Sequence, residues 1–113
     1  MFVAVGQIEL FIPESGSLKS KRFVLKSLKT KIQNKFNVSV AEVGNNDKWQ
    51  RATIGVATVS NDRKLAESTV NKIVNFIEND FRVELIDYMI KICWKYNESK
   101  KSCTRRGAFK KRN

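Results

Sequence analysis

The sequence NVSVAEVGNNDKWQRATIGVATV, at residues 37–59, decides the fold because it has the pattern of two strands joined by a turn. Residues 37–44 alternate apolar and polar side chains, and residues 50–59 are rich in β-branched residues; both features favour β-strands. The polar cluster NND at residues 45–47 favours a tight turn between them. The stretch therefore predicts a β-hairpin in the middle of the chain.

An amphipathic helix is predicted on each side of this hairpin. In residues 18–35, Leu28 and Ile32 belong to an apolar stripe about 120° wide on a helical wheel, and Ser17 is a good N-cap. Residues 63–78 carry the clearest helical spacing in the chain, with apolar side chains recurring every three or four residues. Both segments therefore have one face suited to covering a sheet.

A further strand is predicted outside each helix, and together these elements specify the fold class. Residues 2–12 are rich in Val, Ile and Phe, which favours a strand. In residues 82–94 every second side chain from Ile86 to Trp94 is apolar or aromatic, so these alternate positions share one face. The order is strand-helix-strand-strand-helix-strand, typical of α+β ferredoxin-like βαββαβ folds. We expect a four-stranded antiparallel sheet with both helices on one face. The other face must contact water or a partner.

Charge divides the chain into two parts. Its 113 residues are enough for one domain, and 22 Lys and Arg against 11 Asp and Glu give a net charge of +11. Eight of these basic residues and one acidic residue lie within residues 95–113. We therefore predict a folded domain over residues 1–94 and a basic, flexible C-terminal tail over residues 95–113.

Composition argues against most enzyme classes. The chain has no His, the commonest general base and metal ligand, and two cysteines, too few for a four-ligand zinc site. No apolar segment is long enough to span a bilayer, and the first residues lack the basic start of a signal peptide. We expect a cytoplasmic, noncatalytic protein with reduced thiols, no metal and no cofactor.

The first helix has the strongest binding signal in the sequence. It carries seven basic residues, and no acidic residue occurs between Glu14 and Glu42. Four of the basic residues occupy an arc of about 80° on the helical wheel: Lys19, Arg22, Lys26 and Lys29. Like charges at this spacing repel, and a phosphate backbone would relieve the repulsion. The alternative is a Lys-rich face that contacts only water.

Two other segments are candidates for RNA contact. The tail offers four cations for nonspecific phosphate binding, which are Lys100, Lys101, Arg105 and Arg106. The alternative for the tail is a solubilising extension. At the hairpin, Trp49 beside Arg51 could stack on a base or anchor a partner, or the hairpin tip could pack onto the sheet. The first and third strands lack the central aromatic residues used by RNA-recognition domains, so we expect phosphate recognition instead.

Four sequence elements resemble the YlxP-like family of small bacterial proteins. They are SLKSKR at residues 17–22, FNVSVAEV at residues 36–43, DKWQRA at residues 47–52 and VSND at residues 59–62. The resemblance implies a ferredoxin-like domain and no defined activity, because the family is one of unknown function. Family genes often neighbour translation-initiation and ribosome-maturation genes, which implies a role near RNA or the small ribosomal subunit. The basic tail departs from the family pattern.

These observations leave two functional hypotheses. The first is a noncatalytic accessory factor that binds RNA or the small ribosomal subunit through the basic helix and tail. The alternative is a protein-interaction or oligomerisation module, a homodimer for example, with no nucleic-acid role. Its signal is the apolar last strand, which could pair across a subunit edge.

Overall fold

The hairpin and its flanking elements form in the predicted order. A computed structural model of the protein describes residues 1–93 and the backbone of residues 103–106. The elements are β1 (Phe2–Phe11), α1 (Leu18–Lys35), β2 (Ser39–Gly44), β3 (Arg51–Ser60), α2 (Arg63–Glu78), β4 (Glu84–Cys93) and β5 (Cys103–Arg106). The first six have the βαββαβ order, so the predicted α+β, ferredoxin-like fold is confirmed.

The strands form one antiparallel sheet in the order β2-β3-β1-β4-β5. The sheet contains the four predicted strands and a fifth strand, β5. It pairs with β4, so that Cys103 lies opposite Cys93. The residues of β5 belong to the segment predicted as a tail, and the sequence pattern gave no sign of a fifth strand. The remainder of residues 95–113 lies outside the described residues. Because β4 is paired on both sides, it is not the free edge that the oligomerisation hypothesis assumed.

Both helices begin at a side-chain cap and cover the same face of the sheet. The Ser17 hydroxyl accepts a hydrogen bond from the Ser20 backbone N–H at 3.1 Å, and Asp62 accepts from the first turn of α2. Helix α2 packs on β1, β3 and β4, whereas α1 lies mainly on β2. The fully buried Leu28 of α1 and Ile73 of α2 join Ile8 of β1 in a single core. This arrangement leaves a groove between α1 and β2.

The pairing of β1 with β4 contains a bulge that corrects one prediction. Glu9 pairs with Asp87 but Leu10 pairs with Leu85, so Ile86 is an extra residue in β4. Alternation across the bulge puts Leu85 and Tyr88, rather than Ile86, against the core. A period of two cannot reveal an inserted residue, so the sequence placed Ile86 on the wrong face.

Among the described residues, no element covers the sheet face opposite the helices, and this open face is largely apolar. Val43 and Val59 on this face are 56% and 63% exposed. Val5, Ala41 and Met89 line a shallow hollow there of about 480 Å³. Phe2 of β1 packs against the core rather than lying on this face.

The expectation of reduced thiols is wrong for Cys93, which is disulfide-bonded in the structure.

Among the residues that the structure describes, no helix is both long enough and apolar enough to cross a lipid bilayer.

Candidate nucleic-acid interface

A basic groove runs between α1 and β2. Arg22, Lys26 and Lys29 follow one another at helical spacing along α1 and line this groove, and all three side chains are exposed. The groove has a volume of about 180 Å³, and its apolar lining includes Leu25, Val40 and Ile54. The fold therefore brings three of the four predicted helix cations to one concave surface.

The basic residues of α1 fall into two groups. Three have a partner elsewhere in the fold: Lys21 pairs with Glu42, Lys35 lies 5.3 Å from the Phe76 ring centroid, and Lys31 lies close enough to Asp80 to help lower its pKa. The others are the four predicted phosphate contacts, Lys19, Arg22, Lys26 and Lys29. Within the described part of the chain, none of these four forms a salt bridge.

Lys21 has a structural role that was not predicted from the sequence. Its side chain is fully buried, and its Nζ donates to Glu42 Oε2 at 2.9 Å. The same Nζ donates to the backbone carbonyls of Asn45 at 2.7 Å and Arg51 at 3.2 Å. The position of Lys21 is the feature of the sequence that indicates its burial, because Lys21 lies one turn before Leu25 on the apolar stripe of α1.

The hydrogen-bond network around Lys21 continues across the sheet. Asn45 has a left-handed backbone conformation with φ 59°, which Asn tolerates better than most residues. Its Nδ2 donates to Thr53 Oγ1 at 2.9 Å, and Thr53 Oγ1 donates to Glu9 Oε1 at 3.1 Å. The turn between β2 and β3 is thus bonded to α1, β3 and β1.

This network determines the charge of the groove. Glu42 is an acidic residue in the groove lining, and its side chain is 21% exposed. Lys21 beneath it supplies a compensating positive charge at 2.9 Å. The charges of Arg22, Lys26 and Lys29 are therefore not offset by Glu42, and the groove presents a positive surface to solvent.

Lys19 lies in a neighbouring groove. It is exposed and lines a cavity of about 450 Å³ with Glu14, Phe23 and Arg82. The structure thus divides the predicted set of four cations between two grooves on either side of α1.

Trp49 and Arg51 lie at the turn that Lys21 holds against α1. Trp49 is 56% exposed, and the side chain of Arg51 is exposed as well. The turn is also fixed to the loop between β1 and α1, because Gln50 Nε2 donates to the Pro13 carbonyl at 3.0 Å. Both residues therefore lie at the same end of the domain as the first turns of α1.

The tail candidates are only partly described. Arg105 and Arg106 belong to β5, where their backbones lie opposite Lys91 and Ile90. Lys100 and Lys101 lie outside the described residues.

Arg82 ties the turn after α2 to α1. Its guanidinium donates to both carboxylate oxygens of Asp80, at 3.1 and 2.9 Å, and to Ser27 Oγ at 3.3 Å. The hydrogen bonds from the Arg82 side chain hold the pKa of Asp80 below its ordinary value, and Asp80 in turn raises the pKa of Arg82.

Comparison with known proteins agrees with the four sequence elements at residues 17–22, 36–43, 47–52 and 59–62. Residues 3–90 match the family described as "Protein of unknown function (DUF503)". The chain is also 42% identical over 82 residues to "Uncharacterized protein YlxP" of Bacillus subtilis (strain 168). That alignment covers 73% of this chain and 89% of the relative. The chain therefore belongs to the DUF503, or YlxP-like, family.

Proposed function

We propose that this protein is a noncatalytic, cytoplasmic RNA-binding accessory factor that acts near the small ribosomal subunit. One observation carries the proposal: the fold gives Lys21, Lys31 and Lys35 partners and leaves the other four cations of α1 exposed without a salt bridge in the described residues. The phosphates of an RNA would supply the negative partners that these four side chains do not have in the described fold.

The shape of the surface favours phosphate contacts over base readout. Arg22, Lys26 and Lys29 line a groove, so their side chains converge on one concave strip. Phosphate contacts of this kind position a protein without reading sequence. Trp49 and Arg51 at the adjacent turn extend the same end of the domain, and the tail cations add nonspecific attraction.

Charge reversal on α1 tests the proposal. We expect Lys26→Glu/Lys29→Glu to weaken binding of the full chain to small-subunit ribosomal RNA by about tenfold or more, since a protein that neutralises fewer phosphates also releases fewer counterions. The measurement is fluorescence anisotropy across a salt series, with duplex DNA as the competing polyanion.

A matched control separates a specific surface from net charge alone. Lys64→Glu/Lys72→Glu makes the same change in charge at exposed positions of α2 and is expected to bind RNA nearly as the native chain does. Equal losses in both variants, or unchanged affinity after the α1 reversal, would reject α1 as the binding surface. Circular dichroism checks that each variant is folded.

A second candidate function, self-association, is supported by the open face of the sheet. This face exposes Val43 and Val59, and it is several strands wide. On β4, Asp87 and Lys91 lie on either side of Met89 and are exposed. A second copy turned end for end over this face would place each Lys91 over the partner's Asp87, and this pairing of opposite charges would favour self-association.

Sedimentation equilibrium tests self-association. We expect the native chain to reach twice its mass of 13.0 kDa at high concentration, and Val43→Lys to remain a monomer because it places a charge in the apolar face. Leu65→Lys, an exposed apolar position on α2, is the control. A single-chain mass at all concentrations would eliminate this candidate.

A further inference from the structure

Two phenylalanines, one on α1 and one in the turn after α2, are highly exposed. Phe23 on α1 is 72% exposed, and Phe81 in the turn between α2 and β4 is 96% exposed. Single exposed apolar residues are common, but large aromatic rings within a cationic surface are characteristic of nucleic-acid binding.

The position of Phe23 places it among the predicted phosphate contacts. Lys19 precedes it by four residues and Lys26 follows it by three, so both are its neighbours on the surface of α1. Phe23 and Lys19 also line the same groove of about 450 Å³. A ligand that contacts Lys19 and Lys26 therefore lies close to the Phe23 ring.

The turn that carries Phe81 is fixed next to this site. Arg82 lines the same groove as Phe23, and its Nη1 donates to Ser27 Oγ at 3.3 Å. Ser27 lies one helical turn after Phe23, on the same side of α1. Phe81 immediately precedes Arg82, so a second exposed ring belongs to the turn that contacts this side of the helix.

The chemistry of the site identifies the ligand class. Aromatic faces bind unpaired bases by stacking, whereas the bases of a duplex are already stacked on each other. The neighbouring cations, Lys19 and Lys26, suit the phosphates on either side of such a base. We infer that Phe23, with Phe81 in the neighbouring turn, is a stacking platform for unpaired bases, so that the RNA bound at α1 is single-stranded. This inference rests on the proposed function.

Binding of one RNA sequence in two forms tests the inference. The probes are a single-stranded RNA of about 12 nucleotides and the duplex made with its complement. We expect Phe23→Ala in the full chain to weaken single-strand binding by about 5- to 100-fold and to leave duplex binding unchanged. The dependence of affinity on salt should stay the same, because every cation that faces a phosphate is still present.

Two further variants make the result specific. Phe23→Trp keeps an aromatic face and should retain native single-strand affinity. Val59→Ala removes an exposed apolar side chain from the opposite side of the sheet and should change neither affinity. Equal weakening of both RNA forms by Phe23→Ala, or failure of Phe23→Trp to retain binding, overturns the stacking role.

The two proposals fail in different ways. If Lys26→Glu/Lys29→Glu weakens binding but Phe23→Ala does not, the stacking platform is wrong and the proposed function stands. If neither variant changes RNA binding, the proposed function fails and the inference fails with it. In that case the exposed rings are better explained as a contact for a protein partner.

Discussion

Lys21 shows how one residue can determine both stability and surface charge. A lysine ammonium taken out of water costs several kcal/mol unless it is paired and hydrogen-bonded. Lys21 meets that requirement through Glu42 and the carbonyls of Asn45 and Arg51. Its burial is therefore possible only because the turn between β2 and β3 closes over the start of α1.

Replacement of Lys21 tests this argument. We expect Lys21→Met to lower the free energy of unfolding by about 3–5 kcal/mol, because it leaves the carboxylate of Glu42 and two carbonyls without their donor. Urea denaturation followed by circular dichroism gives the value. The double variant Lys21→Met/Glu42→Gln should recover part of the loss, since it removes the unpaired charge.

Lys26→Met is the matched control, because Lys26 is on the same helix but exposed. Its expected effect on unfolding is within about 0.5 kcal/mol. A loss below about 1 kcal/mol for Lys21→Met would contradict the structural role of the buried pair.

At the scale of the elements, the spacing between α2 and the sheet depends on Gly6. A Cβ atom at this position would lie 2.8 Å from Val70 Cγ1 on α2 and 3.1 Å from Val56 Cγ2 on β3. Both distances are shorter than side chains normally allow. The absence of a side chain at Gly6 therefore lets α2 pack directly on β1.

Addition of one methyl group tests this packing. We expect Gly6→Ala to lower the free energy of unfolding by about 1–3 kcal/mol through overpacking, measured by thermal or urea denaturation. Gly16→Ala is the control, because a Cβ there meets no atom within 4 Å. If Gly6→Ala is as stable as Gly16→Ala, α2 does not need this close approach.

The turn between α2 and β4 makes stability depend on pH. Arg82 lowers the pKa of Asp80 from its ordinary value of 3.8, so the native state binds a proton less readily than the unfolded state. The stabilisation is complete above the ordinary pKa and disappears as pH falls through the lowered pKa. We expect Asp80→Asn to be less stable than the native chain near neutral pH and to approach it in strong acid, as urea midpoints would show. A stability difference that does not change with pH would contradict this mechanism.

Periodicity predicted the elements but not the features that interrupt it. Apolar residues recur at helical spacing in both helices, for example Leu28 and Ile32 in α1 and Ile73 and Ile77 in α2. The sequence therefore predicts both helices with the bounds that the structure has. The bulge at Ile86 was missed because it depends on strand pairing rather than composition. Strand β5 was missed because its residues, CTRR, lie in a segment whose charge predicts a tail.

The candidate site was predicted in part for similar reasons. The exposed cations of α1 follow from the spacing and the absence of acidic residues, which are local properties. The burial of Lys21 depends on carbonyls 24 and 30 residues away along the chain, which no local pattern reveals. Phe23 was not singled out because exposure of an apolar residue is known only once the helix is placed on the sheet.

The whole molecule carries a net charge of +11, which links its stability to salt. Repulsion between like charges destabilises a compact state and is screened when the Debye length falls to about 10 Å near 0.1 M salt. The same rise in salt weakens attraction to RNA, because the release of counterions is then less favourable. Folding and binding are therefore expected to respond to salt in opposite directions.

This expectation is tested with one salt series. Raising NaCl from low concentration to about 0.3 M should increase the Tm of the free chain and decrease its affinity for RNA. Differential scanning calorimetry and anisotropy measure the two quantities on the same preparation. A Tm that falls with salt would mean that the pairs Lys21–Glu42 and Arg82–Asp80 outweigh the overall repulsion.

The pairing of Glu42 with Lys21 also has a consequence for aggregation. In the sheet order, β2 lies at one end, and an end strand invites pairing with a strand of another molecule. The carboxylate of Glu42 points toward α1, where it pairs with the buried Lys21. The pairing of β2 with β3 is irregular between Glu42 and Gly44. An inward charge and a bulge are both known protections of exposed strands. The ion pair between Lys21 and Glu42 therefore also helps to prevent β2 from pairing with a strand of a neighbouring molecule.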